Sequence, residues 1–409
     1  MKHIVIIGSA LSGNKGAAAM LESSIQTLGD KETKFTLLSM YPKADAEHNT
    51  YQNLEIVDAS PLVLGVVINS LALLYRLLPF LRGFLTGCHP AIKALSTANV
   101  LLDQGGITFV DGREKFLIYN IASILPAINM KVPVVKCAQA LGPFHGKLNR
   151  VAARIFLPKM STIISRGRIT HQHLENLGLN NVIAGADYAF ALDVTKQEAA
   201  TAQQKYSLDL LAGKKIVGLS PSVVMRGKVD GEGGDYLNEM VKFVDYLTDQ
   251  GYGVMLVPHS VRSNTDKTHN NDLPLCREIY AKVKHQDQLL FLDQELASQE
   301  LRYWIGRCDY FVASRFHAMV SSLAMGVPTL VIGWSHKYRE VLEMFELEQW
   351  AFGQDKLNQD HLRSEFNRLV ASESEVRASL KQHLPQVKKD SLKQAAVIRD
   401  IVNGNTIGD

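Results

Sequence analysis

Arg, His and Lys, the side chains that hold anions and move protons, gather in one stretch, DYFVASRFHAMVSSLAMGVPTLVIGWSHKY, Asp309 to Tyr338. The pattern predicts a strand over Tyr310–Ala313, Ser314 as N-cap, and a helix from Arg315 to Met325 stopped by Gly326. Arg315 and His317 then fall in the first helical turn, where a fixed cation, a titratable imidazole and backbone N–H groups converge. Such a turn suits an anionic ligand that needs a proton. A following strand, Pro328–Ile332, delivers Trp334, His336 and Lys337 to the same edge. Cations and imidazoles at adjacent strand ends read as a ligand site.

Other chemistry-bearing residues also stand at the ends of apolar runs. The first run empties into GSALSGNKGAAAM, Gly8 to Met20, which places Asn14 and Lys15 as ligand contacts in a glycine-rich turn. The spacing fits neither a P-loop nor GxGxxG, and a plain strand–helix turn is the alternative. LLDQGGITFVDGR, Leu101 to Arg113, bares the Gly105–Gly106 backbone between Asp103 and Asp111. Those carboxylates are candidate acid/base groups, with helix capping as the other reading. Gln139 and Gly142 sit in CAQALGPF after a further strand, and Arg166 ends the run IISRG. Arginine reads carboxylate or phosphate with two parallel N–H bonds, although a lone one is more often an ion pair. His171 and His173 are two apart in a helical pattern, do not share a face, and offer no metal site.

Elements must carry these residues. Runs at Ile4–Ile7, Phe35–Leu38, Leu54–Val57, Val100–Leu102, Val132–Cys137, Thr162–Ser165 and Val182–Ala184 alternate with helix-length segments, and a second series begins at Lys215. The pattern predicts an α/β protein with two Rossmann-like domains facing a cleft. The domains are expected at 1–195 and 214–385, with a linker at 196–213 and a helical tail at 386–409. Composition agrees: among 409 residues, 46% are hydrophobic and 21% charged, enough for two cores. Lys plus Arg, 44, barely exceed Asp plus Glu, 41, and no basic run interleaves with aromatics, which argues against a nucleic-acid partner. Four scattered cysteines, Cys88, Cys137, Cys276 and Cys308, exclude a disulfide scaffold and a zinc ribbon. The first apolar run is too short for a signal peptide, so a cytoplasmic protein with reduced thiols is expected. The segment 59–87 is strongly apolar and closed by arginines. It reads as a buried helix pair, as an interfacial surface that would bring the protein to the inner face of the membrane, or as a span.

In order, the Gly/Asn turn, DQGG with its later Asp, QALGPF, Arg166, GADYAF (Gly185–Phe190), SRFHA and GVPTLVIGWSHKY resemble the polysaccharide pyruvyltransferase family over about Met1 to Trp350. The resemblance implies a GT-B-like fold and transfer of the pyruvyl unit of phosphoenolpyruvate onto a sugar as a ketal, with phosphate released. It makes the N-terminal domain the acceptor side and the C-terminal domain the donor side. Arg315 and Arg166 would hold the two anions of phosphoenolpyruvate, and His317 would protonate its methylene carbon. Asp103 or Asp111 would take the proton of the acceptor hydroxyl, while Lys337 would neutralise departing phosphate. No cofactor and no metal is implied, and the acceptor is a saccharide, commonly lipid-linked. In GRIT no acidic residue adjoins Arg166, where many relatives carry one. Two rival readings are a nucleotide-sugar glycosyltransferase and an inactive, membrane-docked assembly protein.

Overall fold

The computed structural model describes residues 2–262, 270–333 and 336–405. The chain divides into two compact units, one of Met1–Ser12, Ala17–Leu192 and Lys388–Asp409, the other of Gly13–Gly16 and Asp193–Val387.

The first unit holds a seven-stranded parallel sheet of β1 (Lys2–Ile7), β2 (Thr33–Ser39), β3 (Leu54–Asp58), β4 (Val100–Asp103), β5 (Val134–Gln139), β6 (Thr162–Ser165) and β7 (Val182–Ala184). Their order is β3-β2-β1-β4-β5-β6-β7, so the sheet reverses direction between β1 and β4. β1 and β4 are continuous apolar runs because both sheet faces are covered, which is the usual state of a parallel sheet. Right-handed crossovers put the helices after β3, β4 and β5 on one face. Their inner side chains, among them Leu64, Ile68, Ala72, Ile92, Ile124 and Ala153, share one core with Val5 and Leu101 of the sheet.

The apolar 59–87 segment lies in the β3–β4 crossover. It forms a π-helical turn, Val63–Ile68, then helices Asn69–Leu77 and Arg82–Cys88. No single helix among the described residues is long and apolar enough to cross a membrane; Val63–Leu77 and Pro79–Cys88 pass that test only as a pair bent by 118°.

The second unit is built on β8 (Ile216–Ser220), β9 (Gly253–Leu256), β10 (Leu289–Phe291), β11 (Tyr310–Ala313), β12 (Thr329–Ile332) and β13 (Ala351–Phe352), in the order β10-β9-β8-β11-β12-β13. It too is parallel and reverses once, between β8 and β11. Only β13, two residues long, had no signal in the sequence pattern.

Two expected boundaries move. Residues 196–213 are not a linker: the helix Lys196–Lys205 groups with the second unit, where Lys205 Nζ bonds the buried Glu300 carboxylate at 2.6 Å. The C-terminal tail is not a separate element either. The helix Glu373–Val402 passes from the second unit into the first, where Ser391 Oγ donates to Asp187 O at 2.9 Å and Gln394 Nε2 to Ala186 O at 2.9 Å. Polar residues in an amphipathic tail give no sign of such buried backbone partners.

Candidate functional site

Each unit gathers charged side chains where its strands end, which is where open α/β sheets bind ligands. In the first unit, Gly8 follows β1 with φ +79, and a Cβ there would lie 2.6 Å from Gly105 N, so only glycine lets the two turns meet. Asp103 ends β4 and stands in register with Lys136 of β5. Register partners on a parallel sheet present side chains to the same face. The outcome is a buried ion pair, Lys136 Nζ to Asp103 Oδ2 at 2.5 Å, with the side chains 0% and 2% exposed. Asp103 Oδ1 accepts from Gly105 N at 3.0 Å, so both oxygens are engaged. Asp103, expected to be open to a reacting hydroxyl, is therefore enclosed and neutralised.

Gln139 lies beside this pair, donating from Nε2 to Asp103 O at 2.7 Å and accepting from Thr108 Oγ1 at 2.5 Å. Arg166 is buried directly after β6, with Nη1 3.4 Å from Asp187 Oδ2. The acidic partner missing from GRIT is thus supplied by GADYAF. A Cβ on Gly106 would come 3.9 Å from Arg166 Nη1, so Gly105, Gly106, Gln139 and Arg166 do form one cluster. Asp111 lies further along the loop and is only partly exposed. It accepts from His145 N at 2.7 Å, Gly146 N at 3.1 Å and Asn149 Nδ2 at 2.7 Å. Partial burial would raise its pKa, but these hydrogen bonds outweigh it and hold the carboxyl below its usual value.

The second unit carries the denser cluster, at its own reversal point. The helix after β11 runs Phe316–Ala324, with Arg315 as an extended N-cap (φ −109, ψ 133). Ser314 does not cap it, because its hydroxyl meets Tyr236 Oη at 2.9 Å. The extended backbone at Arg315 turns the guanidinium onto Asp272, with Nε to Oδ2 at 2.8 Å and Nη2 to Oδ1 at 2.6 Å. Asp272 is fully buried and also accepts from Val223 N and Ser260 N, both at 3.0 Å. Burial alone would lower the Arg315 pKa; Asp272 reverses that and keeps it firmly charged. The side chain remains 17% exposed, so a second anion has a fixed cation to meet.

His317 sits in the first turn, and a Cβ on Gly16 would overlap its ring, so the turn's third glycine exists for this imidazole. Lys15, from the same four residues that group with this unit, pairs with Glu295 at 2.6 Å, while Asn14 bonds Gly16 N through its side chain at 3.1 Å. Lys337 stands 4.9 Å over the Phe316 ring, between Arg315 and His317 in sequence. The His336 side chain and Trp334 lie outside the described residues.

Sequence reasoning missed His259, Asp272 and Glu295. His259 is buried just beyond β9. Desolvation first, and then the charges of His317, Arg315, Arg302 and Lys15, push its pKa well below the usual imidazole value. A histidine directly after a predicted strand was an available signal. Asp272 had none, since NNDLPL reads as an ordinary cap before a helix.

Two reversing parallel sheets with charged side chains at their carboxyl edges define a ligand-binding α/β architecture. The polysaccharide pyruvyl transferase family matches residues 14–336, and the chain belongs to it. It is 22% identical to the amylovoran biosynthesis protein AmsJ of Erwinia amylovora, over 94% of this chain and 95% of that one. Among solved structures it is similar to the UDP-GlcNAc 2-epimerase of Neisseria meningitidis (TM-score 0.64, 11% identity, 99% of this chain and 100% of that one). A putative UDP-N-acetylglucosamine 2-epimerase from Listeria monocytogenes gives the same TM-score, 0.64, at 12% identity over 100% of this chain and 99% of that one. At such identities the structural likeness shows the fold alone, which is GT-B-like.

Proposed function

We propose that this protein transfers the pyruvyl unit of phosphoenolpyruvate to hydroxyls of a saccharide, forming a pyruvate ketal and releasing inorganic phosphate. The observation that supports this best is the Arg315 fork. It is a guanidinium fixed by a buried carboxylate at a helix N-terminus, one residue from Phe316 and two from His317. An anion held there lies beside a proton donor.

Arg315 and the helix N–H groups bind phosphoenolpyruvate, and Lys337 meets the phosphoryl oxygens. His317, in its acid form, gives its proton to the methylene carbon, which becomes a methyl group. C2 then carries oxocarbenium character, and a saccharide oxygen bonds to it while a carboxylate takes the hydroxyl proton. Of the two candidates, Asp111 is the more accessible, because Asp103 is closed by Lys136. A second hydroxyl displaces phosphate from C2 and gives its proton to His317, left neutral by the first step, which closes the ketal while Lys337 neutralises the departing phosphate. In the first unit the bare Gly105–Gly106 backbone meets the saccharide, which is carried on a lipid, and the buried Gln139 and Arg166 shape that surface from behind. No cofactor enters the scheme.

The test is phosphate release from phosphoenolpyruvate in the presence of a lipid-linked oligosaccharide. His317→Ala is expected to reduce the rate by about 10²–10⁴-fold while leaving the melting temperature near that of the parent. Release of a nucleoside diphosphate from nucleotide sugars, with phosphoenolpyruvate inert, would overturn the reading.

A further inference from the structure

The helical layer covering one face of the first unit's sheet has an outer surface that a soluble domain does not ordinarily display. Thirteen of the seventeen large apolar side chains that stand exposed among the described residues lie between Leu62 and Ile155. Leu62, Leu77, Phe80 and Phe84 are 80%, 62%, 80% and 71% exposed. These residues are not a core left open, since the same helices also have a buried side: Leu64, Ile68 and Ala72 are 0% exposed and packed on the sheet.

Charge follows the same division. Residues 59–174 carry thirteen Lys/Arg against three Asp/Glu, although the whole chain has 44 against 41. From Ala59 to Leu102 there is no acidic residue at all. With the buried Lys136, Arg166 and Asp103 set aside, eleven cations stand against two acids. The cations of the apolar segment keep their charge outward. Arg76 donates to the Asn129 side-chain oxygen at 3.3 Å, and Arg82 donates to Tyr75 O at 3.1 Å and stacks on the Tyr75 ring. On the helix Lys147–Phe156, whose buried alanines share the same core, exposed Leu148, Val151 and Ile155 alternate with Lys147 and Arg154.

We propose that this face docks on an anionic lipid bilayer. Apolar side chains enter the boundary between headgroups and acyl chains, and the arginines and lysines around them meet lipid phosphates. Insertion across the bilayer is excluded by length and packing. Val63–Leu77 and Pro79–Cys88 extend only about 22 and 15 Å at the α-helical rise, against a hydrocarbon core of about 30 Å. Their inner side chains are already committed to the protein core. The bend of 118° places Pro79 and Phe80 at the corner of the pair, where an exposed phenyl ring can lead. The proposal does not depend on the identity of the donor.

Co-sedimentation of the full chain with vesicles tests it without an enzymatic readout. The parent is expected to sediment with phosphatidylcholine vesicles containing about one-third phosphatidylglycerol, and to stay in solution with phosphatidylcholine alone. Replacing Arg76 and Arg82 by Gln should weaken binding about five-fold for each cation removed. Phe80→Ser combined with Phe84→Ser should weaken it at least about ten-fold. Both pairs are exposed, so near-UV circular dichroism and melting should match the parent. The proposal is overturned if the parent ignores anionic vesicles, or if these variants bind as the parent does. It is also overturned if the parent is a dimer that the Phe80/Phe84 variant converts to monomer, because the face would then be occupied by a second copy.

Discussion

Two arginines in this chain look alike on paper. Arg166 and Arg315 each follow a serine at the end of a parallel strand, and each has a buried aspartate partner, Asp187 or Asp272. Their settings differ. Arg315 follows β11, beside the strand where its sheet reverses, is held by Asp272 through bonds of 2.8 and 2.6 Å, and keeps 17% exposure. Arg166 follows β6, two strands beyond its sheet's reversal, is 2% exposed, and has its Nη1 3.4 Å from Asp187 Oδ2. A fork that is fixed on one side and open on the other suits recognition of a small anion. A cation enclosed near glycine backbone suits shaping of a surface. The same Ser-Arg step therefore serves two purposes, decided by where the strand lies in the sheet.

The largest effect should separate the two arginines. Arg315→Ala is expected to lower kcat/KM for phosphoenolpyruvate by about 10³-fold, the cost of losing an electrostatic anchor at the reacting group. Arg315→Lys should recover only part of this, since an ammonium cannot reproduce the fork. Arg166→Lys should act chiefly on KM for the saccharide. Steady-state kinetics with each substrate varied in turn decides the matter. Equal losses of phosphoenolpyruvate affinity at both positions would mean that both arginines hold its anions, and the contrast drawn above would fail.

The next effect concerns stability. The first unit's edge is neutralised internally, Asp103 by Lys136 and Arg166 by Asp187. Lys136→Met would leave the Asp103 carboxylate buried without its counter-ion, at a cost of about 3–5 kcal/mol. Adding Asp103→Asn should restore most of that, since neither charge then remains. Urea denaturation of the single and double variants provides the measurement. If Lys136→Met unfolds at the parent's midpoint, the pair is not structural, and Asp103 returns as a candidate base.

Much of this was legible in the sequence because strands buried on both faces are written as uninterrupted apolar runs. The inner strands of the first unit stood out for that reason, and so did the Arg315–His317 turn, whose residues are contiguous. Partners brought together by folding were not legible. Asp272 is 43 residues from Arg315, and Lys136 is 33 from Asp103. Register alone makes Lys136 the neighbour of Asp103, and register is a property of the assembled sheet. The tail misled for a related reason. Ser391 and Gln394 look like surface residues, yet they serve the backbone of Asp187 and Ala186 in the first unit.

The smallest effect tests the second unit's edge through pH. His259 is buried at that edge, and its pKa is held well below 6.5 by burial and by His317, Arg315, Arg302 and Lys15. The unfolded chain takes up a proton as pH falls through about 6.5, whereas the folded chain does not. Stability from this group is therefore complete above about pH 6.5 and is lost as pH drops toward the depressed folded value, at up to about 1.4 kcal/mol per pH unit. His259→Gln should flatten that component of the slope between about pH 6.5 and 5, as read from urea midpoints. An anion bound at Arg315 should also soften it, because added negative charge reduces the repulsion that opposes protonation. If phosphoenolpyruvate leaves the parent's pH slope unchanged while Arg315→Ala flattens it, Arg315 acts on His259 but not on the donor. The difference between the two arginines would then be one of structure and not of chemistry.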